Sequence, residues 1–300
     1  MINVDETVIL QEVSTRDGLQ NEQRLLSVAQ RIEVVNAIAD AGLRRIQIGA
    51  FVNPRVVPQM AGSDLVLQGL EPKKAGVFYT VLILNNKGLE MALSLNVEHI
   101  EIYVSASETH SFKNSRIGVR KALVNANKMI RRATQAGIGV TGGIMCAFGC
   151  FFEGPISQDK ICEMVADFVG AGATEIGLAD TTGMAKPKDV RTLVERLRTN
   201  TPVEMIGLHL HDTYGYGLRN LGAGIESGVR KFDSSLAGIG GCPFIPGAKG
   251  NIATDQAVNL IEQLGFRTCI ELERLRIAES ILRGYLSSGV AINHSPGRSK

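Results

Sequence analysis

Residues 175–215 read EIGLADTTGMAKPKDVRTLVERLRTNTPVEMIGLHLHDTYG, and this stretch decides the fold. EIGLAD (175–180) and MIGLHLH (205–211) are short, largely apolar runs of strand length. Between them, DVRTLVERLRTN (189–200) spaces its apolar residues three and four apart, which puts them on one face of a helix. Strand, helix and strand in immediate succession form one repeating unit.

The same alternation continues outward in both directions. Upstream lie the strand candidates VILQEV (8–13), RIQIGAF (45–51), VFYTVLI (77–83), IEIYVSA (100–106) and GVTGGIMC (139–146); downstream lies KFDSSLAG (231–238). VAQRIEVVNAIADAG and KICEMVADFVGAG show the helical spacing between strands. Gly42, Gly137, Gly172 and Gly228 stand where helices should end, because glycine enters the left-handed conformation without steric cost. Eight strands, each followed by a helix, leave a closed barrel or an open doubly wound sheet. No G-x-G-x-x-G follows the first strand, so the dinucleotide-binding sheet loses support, and eight is the number that closes a barrel. The expectation is an α/β protein: a single (β/α)8 TIM barrel over residues 1–290, with extra C-terminal helices over 265–290 and a disordered tail at 291–300.

Bulk properties agree with an ordinary enzyme. The 300 residues are 44% hydrophobic and 21% charged, with a formal net charge of +2, which argues against a nucleic-acid protein. The pairs Arg44-Arg45 and Arg131-Arg132 read as solvated helix ends. No apolar run is long enough to span a membrane, and no basic-then-apolar leader opens the chain. Five unevenly spaced cysteines argue for a reducing compartment rather than a disulfide framework, so a cytoplasmic protein is expected. Cys162 and Cys269 read as buried, inert side chains of helical segments, and Cys146 and Cys150 as barrel interior plus loop.

In such a barrel the reactive groups sit at the C-terminal ends of the strands. Arg16 and Asp17 follow strand one, Gln47 lies in strand two, Asp180 closes strand six, and His209 and His211 close strand seven. Cys242 and Asn251 follow strand eight. Residues two apart on a strand share a face, so both imidazoles should point to the barrel mouth. An isolated H-x-H can also be one satisfied core histidine beside one pocket residue. Its place after an apolar run and before D-T-Y-G favours a metal site, with Asp17 as the anionic partner and Asn251 as a neutral oxygen. Mixed nitrogen and oxygen donors without thiolate suit Mg2+ or Mn2+ better than structural zinc. GIGGCPFIPGAKGN reads either as a phosphate-cradling loop or as a long turn.

VSTRDGLQNEQ, FVNPRVVPQM, CAFGCFFEG, LADTTG, HLHDTYG and DSSLAGIGGCPFIPGAKGNIATD together resemble the hydroxymethylglutaryl-CoA lyase family, in order and at compatible spacing over roughly residues 8–265. The resemblance implies cleavage of a 3-hydroxyacyl-CoA to acetyl-CoA and a keto product, a step of leucine breakdown when the product is acetoacetate. It implies Asp17, His209, His211 and Asn251 as ligands of Mg2+ or Mn2+, with Arg16 on the thioester enolate. Cys242 becomes a loop thiol in proton transfer, and Asp180 a polar group near the substrate hydroxyl. A homodimer is implied as well. Lys113, Asn114 and Lys249 are candidate contacts for the CoA thioester.

This chain departs from the family pattern at three positions. Gln47 stands where an acidic residue is usual, Ala50 where a serine is usual, and Gly143 where a tyrosine is usual. Loss of a tyrosine at 143 should open volume and admit another acyl group, such as a citramalyl-CoA-like or longer 3-hydroxyacyl-CoA. A catalytically silent metal- or CoA-binding relative is the remaining alternative.

Overall fold

A computed structural model describes residues 7–70, 72–241 and 250–287. Eight strands, β1 (Ile9–Glu12), β2 (Arg45–Phe51), β3 (Phe78–Ile83), β4 (His99–Ser105), β5 (Gly139–Met145), β6 (Glu175–Asp180), β7 (Ile206–Leu210) and β8 (Lys231–Ser234), pair in sequence order into a closed barrel. All neighbours are parallel, and β8 closes on β1. Every expected strand is present. KFDSSLAG stops early because Leu236–Gly238 turns into a 3-10 helix, where the Leu236 amide donates to the buried Glu12 carboxylate.

The main connecting helices are α1 (Val28–Asp40), α2 (Ser63–Gly69), α3 (Asn86–Ser94), α4 (Glu108–Ser115), α5 (Val119–Gln135), α6 (Gln158–Ala171), α7 (Pro187–Leu197) and α8 (Gly217–Glu226). Then come α9 (Thr254–Gln263) and the additional α10 (Leu272–Ser287), which packs on α1. The expected tail at 291–300 lies outside the described residues. The four glycines all have positive φ, from 82° at Gly137 to 103° at Gly172. At Gly42 a side chain is excluded twice over, since a Cβ there would lie 2.4 Å from the Cys269 carbonyl.

Strand alternation splits the sheet into two chemistries. Ile46, Ile48, Ile100, Ile102, Val140, Ile176, Leu178, Leu208 and Phe232 are buried in the hydrophobic core between sheet and helices. Many of the residues on the other face are polar and bond across the barrel interior. Arg45 pairs with Glu175 at 2.6 Å, Lys231 reaches Glu175 at 2.7 Å, and His99 meets Thr141 at 2.8 Å. Nearer the mouth, Gln11 donates to Glu101 at 3.0 Å and to Asp233 at 3.1 Å. Arg45 is therefore not the solvated helix end that the sequence suggested; it opens β2 and anchors an ion-pair cluster inside the barrel. Cys269 also departs from expectation, being exposed and outside the helices, whereas Cys162 lies half-buried in α6. Among the described residues, no helix is long and apolar enough to cross a membrane.

Candidate active site

Immediately after β1 the chain makes one π-helical turn, Ser14–Gly18, in which the amides of Arg16, Asp17 and Gly18 all donate to the Val13 carbonyl. This widened turn holds Arg16 and Asp17 side by side at the barrel mouth; such turns are frequent at functional sites. Beneath it Glu12, fully buried, accepts from the Ser14 amide at 2.9 Å and from Thr254 Oγ1 at 2.6 Å. That carboxylate ties the end of β1 to the segment carrying Asn251. Burial pushes its pKa up, and the hydrogen bonds it accepts oppose the rise.

Across the mouth, β7 presents His209, and His211 follows it on the same face. Their Nε2 atoms lie 3.0 Å apart, and each is 3.9 Å from Asp17 Oδ2. Asn251 Nδ2 donates to the same Asp17 oxygen at 2.9 Å, leaving Asn251 Oδ1 buried with no partner. Three potential ligand atoms thus converge, with an orphaned amide oxygen beside them. Two imidazole nitrogens turned toward each other and toward a carboxylate make poor sense as a dry hydrogen-bond network. They suit a shared cation, so the mixed nitrogen and oxygen donors fit a divalent metal ion. Asp233 accepts from His209 Nδ1 at 2.9 Å, which fixes the tautomer and leaves the Nε2 lone pair for a ligand.

The electrostatics keep this cluster anionic at one corner. Burial alone would raise the Asp17 pKa, but Arg16 and the two imidazoles outweigh it and hold the carboxyl well below its ordinary range. For His209, burial favours the neutral form, yet the Asp233 hydrogen bond and the Asp17 charge raise its pKa overall. Burial, with the neighbouring His209, lowers that of His211.

Arg16 is buried. Its Nη1 donates to Asp17 Oδ1 at 2.6 Å and its Nε to Gln47 Oε1. Gln47 Nε2 is buried without a partner. A cavity of about 140 Å3 opens above these groups, bordered by Arg16, Asp17, Tyr103, Asn114, His209 and His211. Asn114 therefore stands at the site, whereas Lys113 is exposed and lies over the Phe152 ring, 4.9 Å from its centroid. The glycine-rich stretch begins against the ligands. Gly240, at φ 90°, passes so close that a Cβ would lie 2.8 Å from both Asn251 Nδ2 and the Asp17 carbonyl. Cys242 and Lys249 fall outside the described residues.

Two expectations need correction. Asp180 does not reach the cavity. Ala179 and Thr181 border it, so the alternation of β6 turns Asp180 to the opposite face. There its carboxylate accepts from the Met184 and Ala185 amides at 3.1 Å each, and burial pushes its pKa up to about 7. Nor does Gly143 open volume. Tyr103 of the adjacent β4 lies over it, and a Cβ on Gly143 would meet the ring at 2.3 Å. Tyr103, Glu12 and Asp233 join the site or its support without having stood among the expected residues. The last was accessible from alternation, since Asp233 is paired with His209 in the register between β7 and β8.

A closed eightfold barrel with this ligand cluster and a buried guanidinium at its C-terminal mouth defines a metal-dependent barrel enzyme. The chain belongs to the HMGL-like family, whose model matches residues 7–282. It is 41% identical over 262 residues to a hydroxymethylglutaryl-CoA lyase of Pseudomonas mevalonii, covering 87% of each chain. A 3-hydroxy-3-isohexenylglutaryl-CoA/hydroxy-methylglutaryl-CoA lyase of Pseudomonas aeruginosa is 36% identical, with 91% of each chain covered. Among solved structures, an HMG-CoA lyase from Acinetobacter baumannii in complex with coenzyme A and 3-methylmalate superposes with a TM-score of 0.90. The two are 34% identical, and the match covers 98% of this chain and 95% of that one.

Proposed function

We propose that this protein is a carbon–carbon lyase that cleaves 3-hydroxy-3-methylglutaryl-CoA into acetoacetate and acetyl-CoA. The observation that carries the reading is the meeting of Asp17, His209, His211 and Asn251 beside Arg16, in a chain of the HMGL-like family. Those four side chains would hold Mg2+ or Mn2+, which when bound would supply Lewis acidity toward the substrate hydroxyl. Cleavage removes the proton of the 3-hydroxyl, breaks the C2–C3 bond and leaves a ketone at C3. The electron pair of that bond passes to the thioester as an enolate, and protonation at C2 completes acetyl-CoA.

Arg16 holds the enolate oxygen. A guanidinium stays protonated at working pH and offers several donors, so it stabilises charge without acting as an acid. Gln47 and Asp17 orient it through two of those donors. Asp233 fixes His209 for ligation. Cys242 is assigned to proton transfer on the sequence resemblance. Asn114, which borders the cavity, is assigned to the CoA arm, Lys113 keeps that assignment only from its sequence position beside Asn114, and the coenzyme A bound in the Acinetobacter baumannii structure supports a CoA thioester as substrate. The family resemblance supports a homodimer, and the free thiols of Cys146, Cys150, Cys162 and Cys269 support a cytoplasmic setting.

A larger acyl group loses its main support once Tyr103 fills the space beside Gly143. The test is incubation with Mg2+ and a panel of 3-hydroxyacyl-CoA thioesters, reading acetyl-CoA and the keto product together. Equimolar acetyl-CoA and acetoacetate from hydroxymethylglutaryl-CoA are expected. No turnover of that thioester, with turnover of another, would reject the assignment.

A further inference from the structure

Tyr103 occupies a place built for it. It is register-paired with Gly143 on β5, which is in turn paired with Gly177 on β6. A Cβ at Gly143 would lie 2.3 Å from the Tyr103 ring, and one at Gly177 would lie 2.6 Å from its hydroxyl oxygen. The ring thus lies across two successive strands at a level where both carry glycine, and its hydroxyl comes to rest against Gly177 of β6. Tyr103 borders both the mouth cavity and a smaller one of about 30 Å3 beneath it. Below are the charged groups of Glu101, Glu175, Asp233, Arg45 and Lys231; above are Arg16 and Asp17, and His209, like Tyr103, borders both cavities. The ring and His209 therefore form the partition between the reaction space and the ion pairs of the barrel interior. Burial, then the charges of Asp233 and Glu101, hold the phenol well above its ordinary pKa, so it remains a neutral donor.

We propose that Tyr103 is a further catalytic residue, whose ring forms the floor under the acyl group and whose hydroxyl donates a hydrogen bond to an oxygen of that group. This inference rests on the lyase reading above. The partition needs only a ring, and phenylalanine would supply one. The hydroxyl adds a positioned donor at the floor of the mouth cavity, and such donors stabilise developing negative charge.

The experiment compares Tyr103→Phe with wild type on hydroxymethylglutaryl-CoA at saturating Mn2+, with Mn2+ affinity and melting temperature measured on the same preparations. Loss of one positioned donor should lower kcat/KM by about 100-fold. Because the ring is kept, melting temperature and Mn2+ affinity should stay as in wild type. A kcat/KM within about threefold of wild type, far short of the loss of a positioned donor, would overturn the proposal. So would a loss of activity that merely follows a loss of Mn2+ affinity, since the phenol would then serve the metal site. Failure of wild type itself to turn over this thioester rejects the lyase reading, and this inference with it. An active wild type with an equally active Tyr103→Phe protein rejects this inference alone.

Discussion

Arg16→Lys isolates what the guanidinium contributes beyond its charge. In the wild type, Arg16 Nη1 is committed to Asp17 Oδ1 at 2.6 Å and Nε to Gln47, while the remaining donors face the cavity. An ammonium on a flexible stem retains the charge but offers no planar fork, so it cannot hold both neighbours and still meet an enolate oxygen in fixed geometry. Loss of one positioned oxyanion donor costs about 3 kcal/mol in the transition state, or roughly 100-fold in kcat. The charge that attracts an anionic CoA thioester persists, so KM should move by no more than about threefold, as befits an interaction made mainly in the transition state. Gln47 Oε1 loses its partner inside the barrel, which should cost about 1 kcal/mol of stability. The assay is initial-rate release of acetyl-CoA from hydroxymethylglutaryl-CoA across a range of concentrations, with a melting curve as the control for folding. Equal kcat in the two proteins would remove Arg16 from the chemistry. A large rise in KM at unchanged kcat would reduce it to a substrate-docking cation.

Three further perturbations probe the frame around the site. Glu175→Gln breaks the Arg45–Glu175–Lys231 cluster and should cost about 3 kcal/mol at neutral pH. Burial pushes the Glu175 carboxyl up, but Arg45 and Lys231 pull it down to about 2, so its contribution is present above the ordinary 4.5 and lost as pH falls through 2. Denaturant titrations should show a flatter acid limb in the variant; coincident limbs would contradict the ion-pair account. Asp180 has the opposite sign. Its folded pKa of about 7 exceeds the ordinary 3.8, so its contribution is complete below 3.8 and disappears as pH rises through 7. Asp180→Asn should remove that decline from the stability profile, and an unchanged slope would show that Asp180 does not titrate there. Gly143→Ala forces a Cβ into the Tyr103 ring and should destabilise by about 2 kcal/mol with loss of activity. A variant as stable and active as wild type would mean that Tyr103 has another resting place.

The barrel was legible because parallel strands here alternate polar and apolar residues while the helices between them keep their own period. Positions such as His209 and His211 could be assigned a common face from spacing alone. Asp180 was expected at the substrate from its place at the end of β6 and from the family resemblance, but alternation along that strand turns it outward to the Met184 and Ala185 amides. Arg45 was misread because a basic pair looks the same at a solvated helix end and at the base of a barrel strand. Only its register with β1 and its reach to Glu175 distinguish the two. Tyr103 and Gly143 show a deeper limit. A missing side chain at one position was filled from the neighbouring strand, and complementarity between adjacent strands cannot be read from either strand by itself. Glu12 was silent for a similar reason, since its partners Leu236 and Thr254 lie at the far end of the chain.

The most direct test of the account is titration of chelator-treated protein with Mn2+, following free Mn2+ by electron paramagnetic resonance and acetyl-CoA release in parallel. One ion bound per chain is expected, with activity rising in step, and Asp17→Asn and His211→Ala should abolish both. Full activity in excess chelator, or Mn2+ binding unchanged in both variants, would contradict the claim that these side chains assemble a single cation site beside Arg16.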